Sequence, residues 1–323
     1  MRHVRFHEHG APEVLITEEA EAPEPGPGQV LIRTEAIGVN YVDVQIRRET
    51  DPGSIYFRPT PATLTGDVVG TVEATGPETD PALVGARVAT LLEDAYADYV
   101  VADADWLVSV PLGLSAGVAS MLPLVAAVAL GALRVGRVAA GETVLITAAA
   151  GAIGHLAVQL ARQRGAGTVI ATAGSTTKLG FLKDLGADVT VNYSEPDWTD
   201  QVRAAAPGGV DVALEAVGGE LLHQCVGLLA PYGRAVIFGA SAGSWESVSP
   251  MSLVGLKSVS GFSLLAYRAL DPEHARADIA ELTRLFESGA LRAETHELPL
   301  TEAVRAHQML EDRAVTGRLI LVP

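Results

Sequence analysis

The spacing of apolar positions changes near residue 116. Before that point, β-branched residues come in short runs at 14–16, 29–36, 70–74 and 87–91, separated by clusters such as Pro23-Glu-Pro-Gly-Pro-Gly28. Short runs between turn formers predict an all-β region of short strands. An apolar helical stretch follows from 116 to 133, and then strand and helix patterns alternate. Strands are predicted at 143–147, 168–172, 188–192, 210–215 and 234–238, and helices at 155–164, 177–185, 200–206 and 220–229. Regular alternation of this kind predicts βαβ units, with a parallel sheet covered by helices on both faces. Late in the chain, 273–288 has the pattern of an amphipathic helix and 318–322 that of a closing strand. No internal repeat or low-complexity tract is present.

Composition narrows the function classes. The chain has 323 residues, 48% of them hydrophobic, enough for about two domains with a substantial core. A net charge of −16 argues against nucleic acid or an anionic membrane as partner, since both require a basic face. The single cysteine, Cys225, excludes a disulfide framework and a cysteine-rich metal site. The N-terminus is polar and bears histidines, and the 118–133 stretch is interrupted by Ser120, Pro123 and Gly131. These features predict a soluble cytoplasmic protein with no membrane span.

Chemistry concentrates where Glu142-Thr-Val-Leu-Ile-Thr-Ala-Ala-Ala-Gly-Ala-Ile-Gly154 runs into helix formers. A buried strand, a turn of small residues and a helix with a bare N-terminus offer free N–H groups and the positive end of a dipole to a pyrophosphate. Ala149, Gly151 and Gly154 hold the spacing of a dinucleotide fingerprint, with Ala152 and Ile153 inside the turn and alanine in the first glycine slot. The next strand ends at Gly174-Ser-Thr-Thr-Lys178 without the carboxylate that would hold an unphosphorylated ribose. Gly174, Ser175 and Lys178 suit a 2′-phosphate, and Lys178 is one of only three lysines. Ser175 also suits a helix cap and Lys178 a solvated first turn. The phosphate reading predicts NADPH in preference to NADH. Glu215, ending the 210–215 strand, is expected to be structural. Gly239-Ala-Ser-Ala-Gly243, with Asp271 and His296 downstream, matches a hydrolase nucleophile elbow, but Gly243-Ser-Trp-Glu-Ser-Val-Ser-Pro250 is poor material for the helix an elbow needs.

Several motifs together resemble the medium-chain dehydrogenase/reductase superfamily, in its zinc-free quinone oxidoreductase (zeta-crystallin-like) branch. They are Val4-Arg-Phe-His-Glu-His-Gly-Ala-Pro-Glu-Val-Leu15, Gly38-Val-Asn-Tyr-Val-Asp-Val-Gln-Ile-Arg47, Pro61-Ala-Thr-Leu-Thr-Gly-Asp-Val-Val-Gly-Thr-Val72, Gly186-Ala-Asp188 with Asn192-Tyr193, and Gly317-Arg-Leu-Ile-Leu-Val322. The resemblance implies an α/β protein: a GroES-like β domain from 1–122 and 266–323, and a Rossmann doubly wound parallel-sheet domain from 123–265. Zinc-dependent relatives carry a cysteine near Val39 and a cluster of cysteines that this chain lacks, so no metal is expected. Without a Lewis acid, hydride delivery to a conjugated acceptor is favoured over alcohol oxidation, because an enone or quinone spreads the arriving charge.

Carried over by position, the resemblance places Asn40 and Asp43 by the nicotinamide and 149–154 at the pyrophosphate. Ser175, Lys178, Tyr193 and Arg318 would surround the 2′-phosphate. Phe238, Gly239, Ser241, Phe262, Ser263 and Leu264 would line the nicotinamide and cleft. A simpler role for Asn40 and Asp43 is turn formation and backbone capping. Gln45 and Val128 stand where relatives often have tyrosine and threonine, and the 49–58 loop is long, so Tyr56 is a candidate proton donor or substrate contact. The leading expectation is an NADPH-dependent reductase of quinones or α,β-unsaturated carbonyls, working as a homodimer on a small-molecule substrate. An enoyl-thioester or polyketide-intermediate reductase is the alternative, supported by Arg47, Arg48 and Arg58. An NADPH-binding protein with little turnover is a third possibility.

Overall fold

The computed structural model describes residues 1–243 and 247–323. Strands in chain order are β1 (Arg2–Phe6), β2 (Leu15–Glu19), β3 (Gln29–Gly38), β4 (Gly66–Thr75), β5 (Arg87–Leu92), β6 (Tyr99–Asp103), β7 (Val108–Ser109), β8 (Thr143–Ile146), β9 (Thr168–Ala173), β10 (Val189–Asn192), β11 (Val210–Glu215), β12 (Leu229–Ile237), β13 (Ser258–Gly261), β14 (Thr295–Pro299) and β15 (Arg318–Val322). The α-helices are α1 (Tyr41–Arg48), α2 (Ala116–Ala119), α3 (Ala127–Val135), α4 (Gly154–Gln163), α5 (Leu179–Asp184), α6 (Trp198–Ala205), α7 (Gly219–Leu228), α8 (Leu264–Leu270), α9 (Pro272–Glu287) and α10 (Ala303–Glu311).

The chain divides into two compact units, one of Met1–Leu124 with Glu294–Pro323 and one of Val125–Ala293. The expected boundary at 265/266 is therefore displaced to 293/294. α8 and α9 pack on α3, inside the second unit. α9 buries Ala275, Ile279, Leu282 and Phe286 at helical spacing, which gives it an apolar stripe to bury.

Unit 1 is built on a seven-stranded sheet in the order β14-β15-β3-β4-β5-β7, with β6 pairing β3, beside a β1–β2 hairpin. Phe6, Ile32, Ile37, Leu64, Val68 and Tyr96 are enclosed in its core. The expectation of an all-β first third misses α1. Its start is fixed by a capping box in which Asn40 and Asp43 satisfy each other's backbone N–H groups.

Unit 2 is a six-stranded sheet in the order β10-β9-β8-β11-β12-β13, with every pairing parallel. Val144, Leu145 and Ile146 of β8 and Val212, Ala213 and Leu214 of β11 have no exposed surface, as befits strands covered on both faces. Sequence order reverses at β8. With right-handed crossovers, the reversal sends α4 and α5 to one face and α6 and α7 to the other.

The apolar stretch leading to β8 is helical, as its pattern predicts. Ala116–Val135 forms a 20-residue helical run that is long and apolar enough to cross a membrane, yet 83% of its most apolar window is buried inside the protein. It is a core helix. Pro123 does not end it, because Leu122–Ala126 adopts a π-helical turn around the proline's missing N–H.

Candidate active site

In unit 2 the functional residues gather at the C-terminal ends of the strands. The sheet's order reverses between β8 and β11, which is where open α/β sheets bind ligands. β8 ends in a tight turn that begins with Ala148 at a φ of 46° and leads into α4 at Gly154. Ala149 donates its N–H to the Thr172 carbonyl at 2.8 Å, anchoring the turn to β9. Gly154 is required by packing: a Cβ there would stand 2.5 Å from both the Ala148 oxygen and the Ala149 Cα. Gly151 is less constrained, with the Ala148 oxygen 3.3 Å from its would-be Cβ. Ala152 and Ile153 lie partly exposed in the turn between Gly151 and α4. Of the first N–H groups of that helix, those of His155 and Ala157 donate to the Gly151 and Ile153 carbonyls at 3.1 and 3.0 Å.

The ends of β9 and β10 bring four of the expected phosphate residues together. Ser175 caps the short helical turn Thr176–Lys178, its Oγ accepting from the Thr177 N–H at 3.3 Å. The Ser175 hydroxyl also stands beside Thr177 Oγ1 at 2.8 Å. Tyr193 donates its backbone N–H to the Ala173 carbonyl, and its hydroxyl lies 3.0 Å from the place a Cβ would take on Gly174. Ser194 Oγ donates to the Gly174 carbonyl at 3.0 Å, tying the two loops. Lys178 is partly exposed at the end of this turn, and none of residues 172–178 is acidic. The donor set fits a phosphorylated ribose.

Arg318 lies on β15 of unit 1 with no exposed surface, donating from Nη2 to Asp67 Oδ2. Its other two guanidinium nitrogens have no hydrogen-bond partner among the described residues.

The loop after β12 is fastened to the loop after β11. Phe238 N–H donates to the Glu215 carbonyl at 3.0 Å, Ser241 N–H to Ala216 at 3.1 Å and Ala242 N–H to Val217 at 2.8 Å. Gly239 packs so closely that a Cβ would come within 3.0 Å of the Ala216 oxygen. Phe262 continues from β13, and a Cβ at Gly131 of α3 would overlap its ring. Ser263 caps α8 by accepting from Ala266 N–H, and Leu264 is buried. No helix starts at Ser241, which lies in a turn, and 244–246 fall outside the described residues. Asp271 caps α9 and pairs with His274, while His296 Nε2 bonds the Thr316 carbonyl. The elbow's partners are committed elsewhere.

Unit 1 holds the second cluster. Asn40 precedes α1 and donates from Nδ2 to Asp67 Oδ2 at 3.2 Å. Asp43 accepts from the Asn40 N–H at 3.2 Å, and from the Thr65 N–H and hydroxyl at 2.9 and 2.7 Å. Asp43 has no exposed surface, and burial pushes its carboxyl up to about 7 against those donors. Burial, then the nearby Asp43 charge, raises the Tyr96 phenol well above its ordinary value. Behind Tyr96, His307 accepts at Nδ1 from Arg47 Nε at 3.3 Å. Because Arg47 can only donate, the neutral His307 carries its proton on Nε2, 3.3 Å from the Tyr96 oxygen. Burial, then the Arg47 charge, lowers His307 to about 3. Tyr56 is partly buried against the apolar core, and its N–H donates to Ser54 Oγ. Sequence reasoning missed Thr65, Tyr96 and His307. No local signal marks them, since the Tyr96–His307 contact spans 211 positions.

The basic residues that supported a thioester-arm groove are engaged by the protein itself. Arg47 donates to the Gly10 carbonyl and to Glu311, Arg48 to Glu311, and Arg58 to Glu93. Among the described residues, no group of three or more histidine, cysteine, aspartate or glutamate side chains is arranged to hold a metal ion.

Two family models match the chain. Residues 26–112 match the model of the alcohol dehydrogenase GroES-like domain, and residues 152–288 match that of the zinc-binding dehydrogenases. A quinone oxidoreductase from Pseudomonas aeruginosa is 33% identical over 330 residues, covering 100% of this chain and 99% of the relative. A 2-haloacrylate reductase from a Burkholderia species is 32% identical, covering 98% of each chain. The structure of an Escherichia coli quinone oxidoreductase complexed with NADPH superposes with a TM-score of 0.90 at 28% identity, covering 100% of each chain. The chain belongs to the medium-chain dehydrogenase/reductase superfamily, in its zinc-free quinone oxidoreductase branch.

Proposed function

We propose that this protein is an NADPH-dependent reductase that delivers hydride to a quinone or to another α,β-unsaturated carbonyl. The observation that carries the reading is the grouping of Gly174, Ser175, Lys178 and Tyr193 beside a bare helix N-terminus, with none of residues 172–178 acidic. When bound, NADPH supplies the hydride. The α4 N–H groups hold the pyrophosphate, Ser175, Lys178 and Tyr193 hold the 2′-phosphate, and the 216–219 and 238–242 loops carry the nicotinamide side. Asn40, fixed by Asp67 and Asp43, orients the acceptor, and the proton comes from water or Tyr56. Loss of NADPH absorbance with 9,10-phenanthrenequinone and a panel of enones tests the reading. Cofactor binding without turnover of any acceptor would sink the enzyme reading and leave an NADPH-binding protein.

The same reading makes the protein a cytoplasmic homodimer. Support comes from β13, which ends the unit 2 sheet with no further strand paired to it among the described residues. Tyr232, Met251, Val254 and Leu256, on the segments leading to that edge, are 57–76% exposed. An open edge bordered by exposed apolar side chains favours pairing with a second copy.

A further inference from the structure

Glu215 is the last residue of β11 and has no exposed surface. A carboxylate in that position costs desolvation, and burial raises its pKa, so its retention calls for compensating donors. It has them. Oε1 accepts from the Val217 N–H at 2.7 Å and the Gly218 N–H at 3.1 Å, and Oε2 from the Gly218 N–H at 3.0 Å. These bonds organise the loop that passes through Gly218 and Gly219, both at positive φ, into α7. Across the gap between β11 and β8, Oε1 stands 3.3 Å from the hydroxyl of Thr147, which is also fully buried. Thr147 Oγ1 in turn accepts from the Ala216 N–H at 3.0 Å. Thr147 immediately precedes Ala148, where the pyrophosphate turn begins.

The contacts therefore form one continuous rim. The turn after β8 reaches the 216–219 loop through Thr147 and Glu215, and that loop reaches the 238–242 loop through the carbonyls of Ala216 and Val217. Backbone pairing alone joins the strands up to Leu214, whose partner on β8 is Ile146. Beyond that register, Thr147 N–H still reaches the Leu214 carbonyl, and the remaining ties across the gap run through these two side chains. An apolar pair of similar volume would fill the space without fixing either loop.

We propose that Glu215 and Thr147 are a positioning pair that registers the nicotinamide-side loops against the pyrophosphate turn. They govern how the reactive half of the cofactor is held and leave its adenosine half untouched. The inference rests on the NADPH reading above.

The test compares NADPH with 2′,5′-ADP, which carries the 2′-phosphate but no nicotinamide. Dissociation constants for both, kcat with a quinone, and the Tm of the cofactor-free protein are measured for Thr147→Val, Thr147→Ser and Glu215→Gln. Thr147→Val and Glu215→Gln are expected to weaken NADPH about fivefold to tenfold and to lower kcat, with 2′,5′-ADP changing less than about twofold. Thr147→Ser, which keeps the hydroxyl, restores the NADPH affinity that Thr147→Val loses. Equal weakening of both ligands, in step with a lowered Tm, overturns the proposal by reducing the pair to a fold element, and so does no change in either ligand. Failure of the unaltered protein to bind either ligand defeats the cofactor reading instead.

Discussion

Arg318, on the strand that ends the chain, donates to Asp67 of β4 where neither side chain has any exposed surface. Asn40 shares the same carboxylate oxygen. Removing one partner of a buried pair leaves an uncompensated charge, typically costing about 3–5 kcal/mol. Asp67→Ala should therefore lower the urea midpoint strongly and also impair catalysis by releasing Asn40. A variant with an unchanged midpoint would show that the pair contributes nothing net.

Asp43 and His307 impose opposite pH dependences on unit 1. With its pKa raised from 3.8 to about 7, Asp43 binds more protons folded than unfolded across that window, so its contribution to stability falls as pH rises. His307, lowered from 6.5 to about 3, binds fewer protons folded, so its contribution grows as pH rises from 3 to 6.5. Asp43→Asn removes the first slope and keeps the second. Its urea midpoint, measured from pH 4 to 7, should rise with pH more steeply than that of the unaltered protein. Parallel profiles would contradict the assignment.

At the end of β9, Lys178→Ala removes a cation from the expected 2′-phosphate position. A charge-assisted hydrogen bond contributes about 1.5–3 kcal/mol, so KM for NADPH should rise about tenfold or more while KM for NADH stays nearly constant. Ser175→Asp adds repulsion and should move the preference toward NADH. Equal shifts for the two cofactors would place the phosphate elsewhere.

Met251→Glu combined with Leu256→Glu puts charge beside the β13 edge. Sedimentation velocity should show a dimer for the unaltered protein and a monomer for the double variant. A monomer in both cases would remove the homodimer from the reading.

Much of unit 2 was legible because its signals are local. Val144, Leu145 and Ile146 read as a strand and the small residues after them as a turn; in unit 1, the closing strand at 318–322 agrees to the residue. α1 was hidden because β-branched Val42, Val44 and Ile46 look strand-like, and only the reciprocal Asn40–Asp43 cap makes the segment helical. The Arg318–Asp67 pairing was not legible for a different reason, because the two residues lie 251 positions apart.

The sequence by itself determined the alternating architecture, the bare turn at 149–154 and the phosphate-suited tip at Ser175 and Lys178, because each depends on neighbours a few positions apart. Tertiary structure alone decided that Arg318 faces Asp67, that Tyr96 and His307 stand behind Asp43, and that Glu215 meets Thr147. Those pairings join groups 53 to 251 positions apart, and nothing in local spacing encodes which distant strand ends will meet.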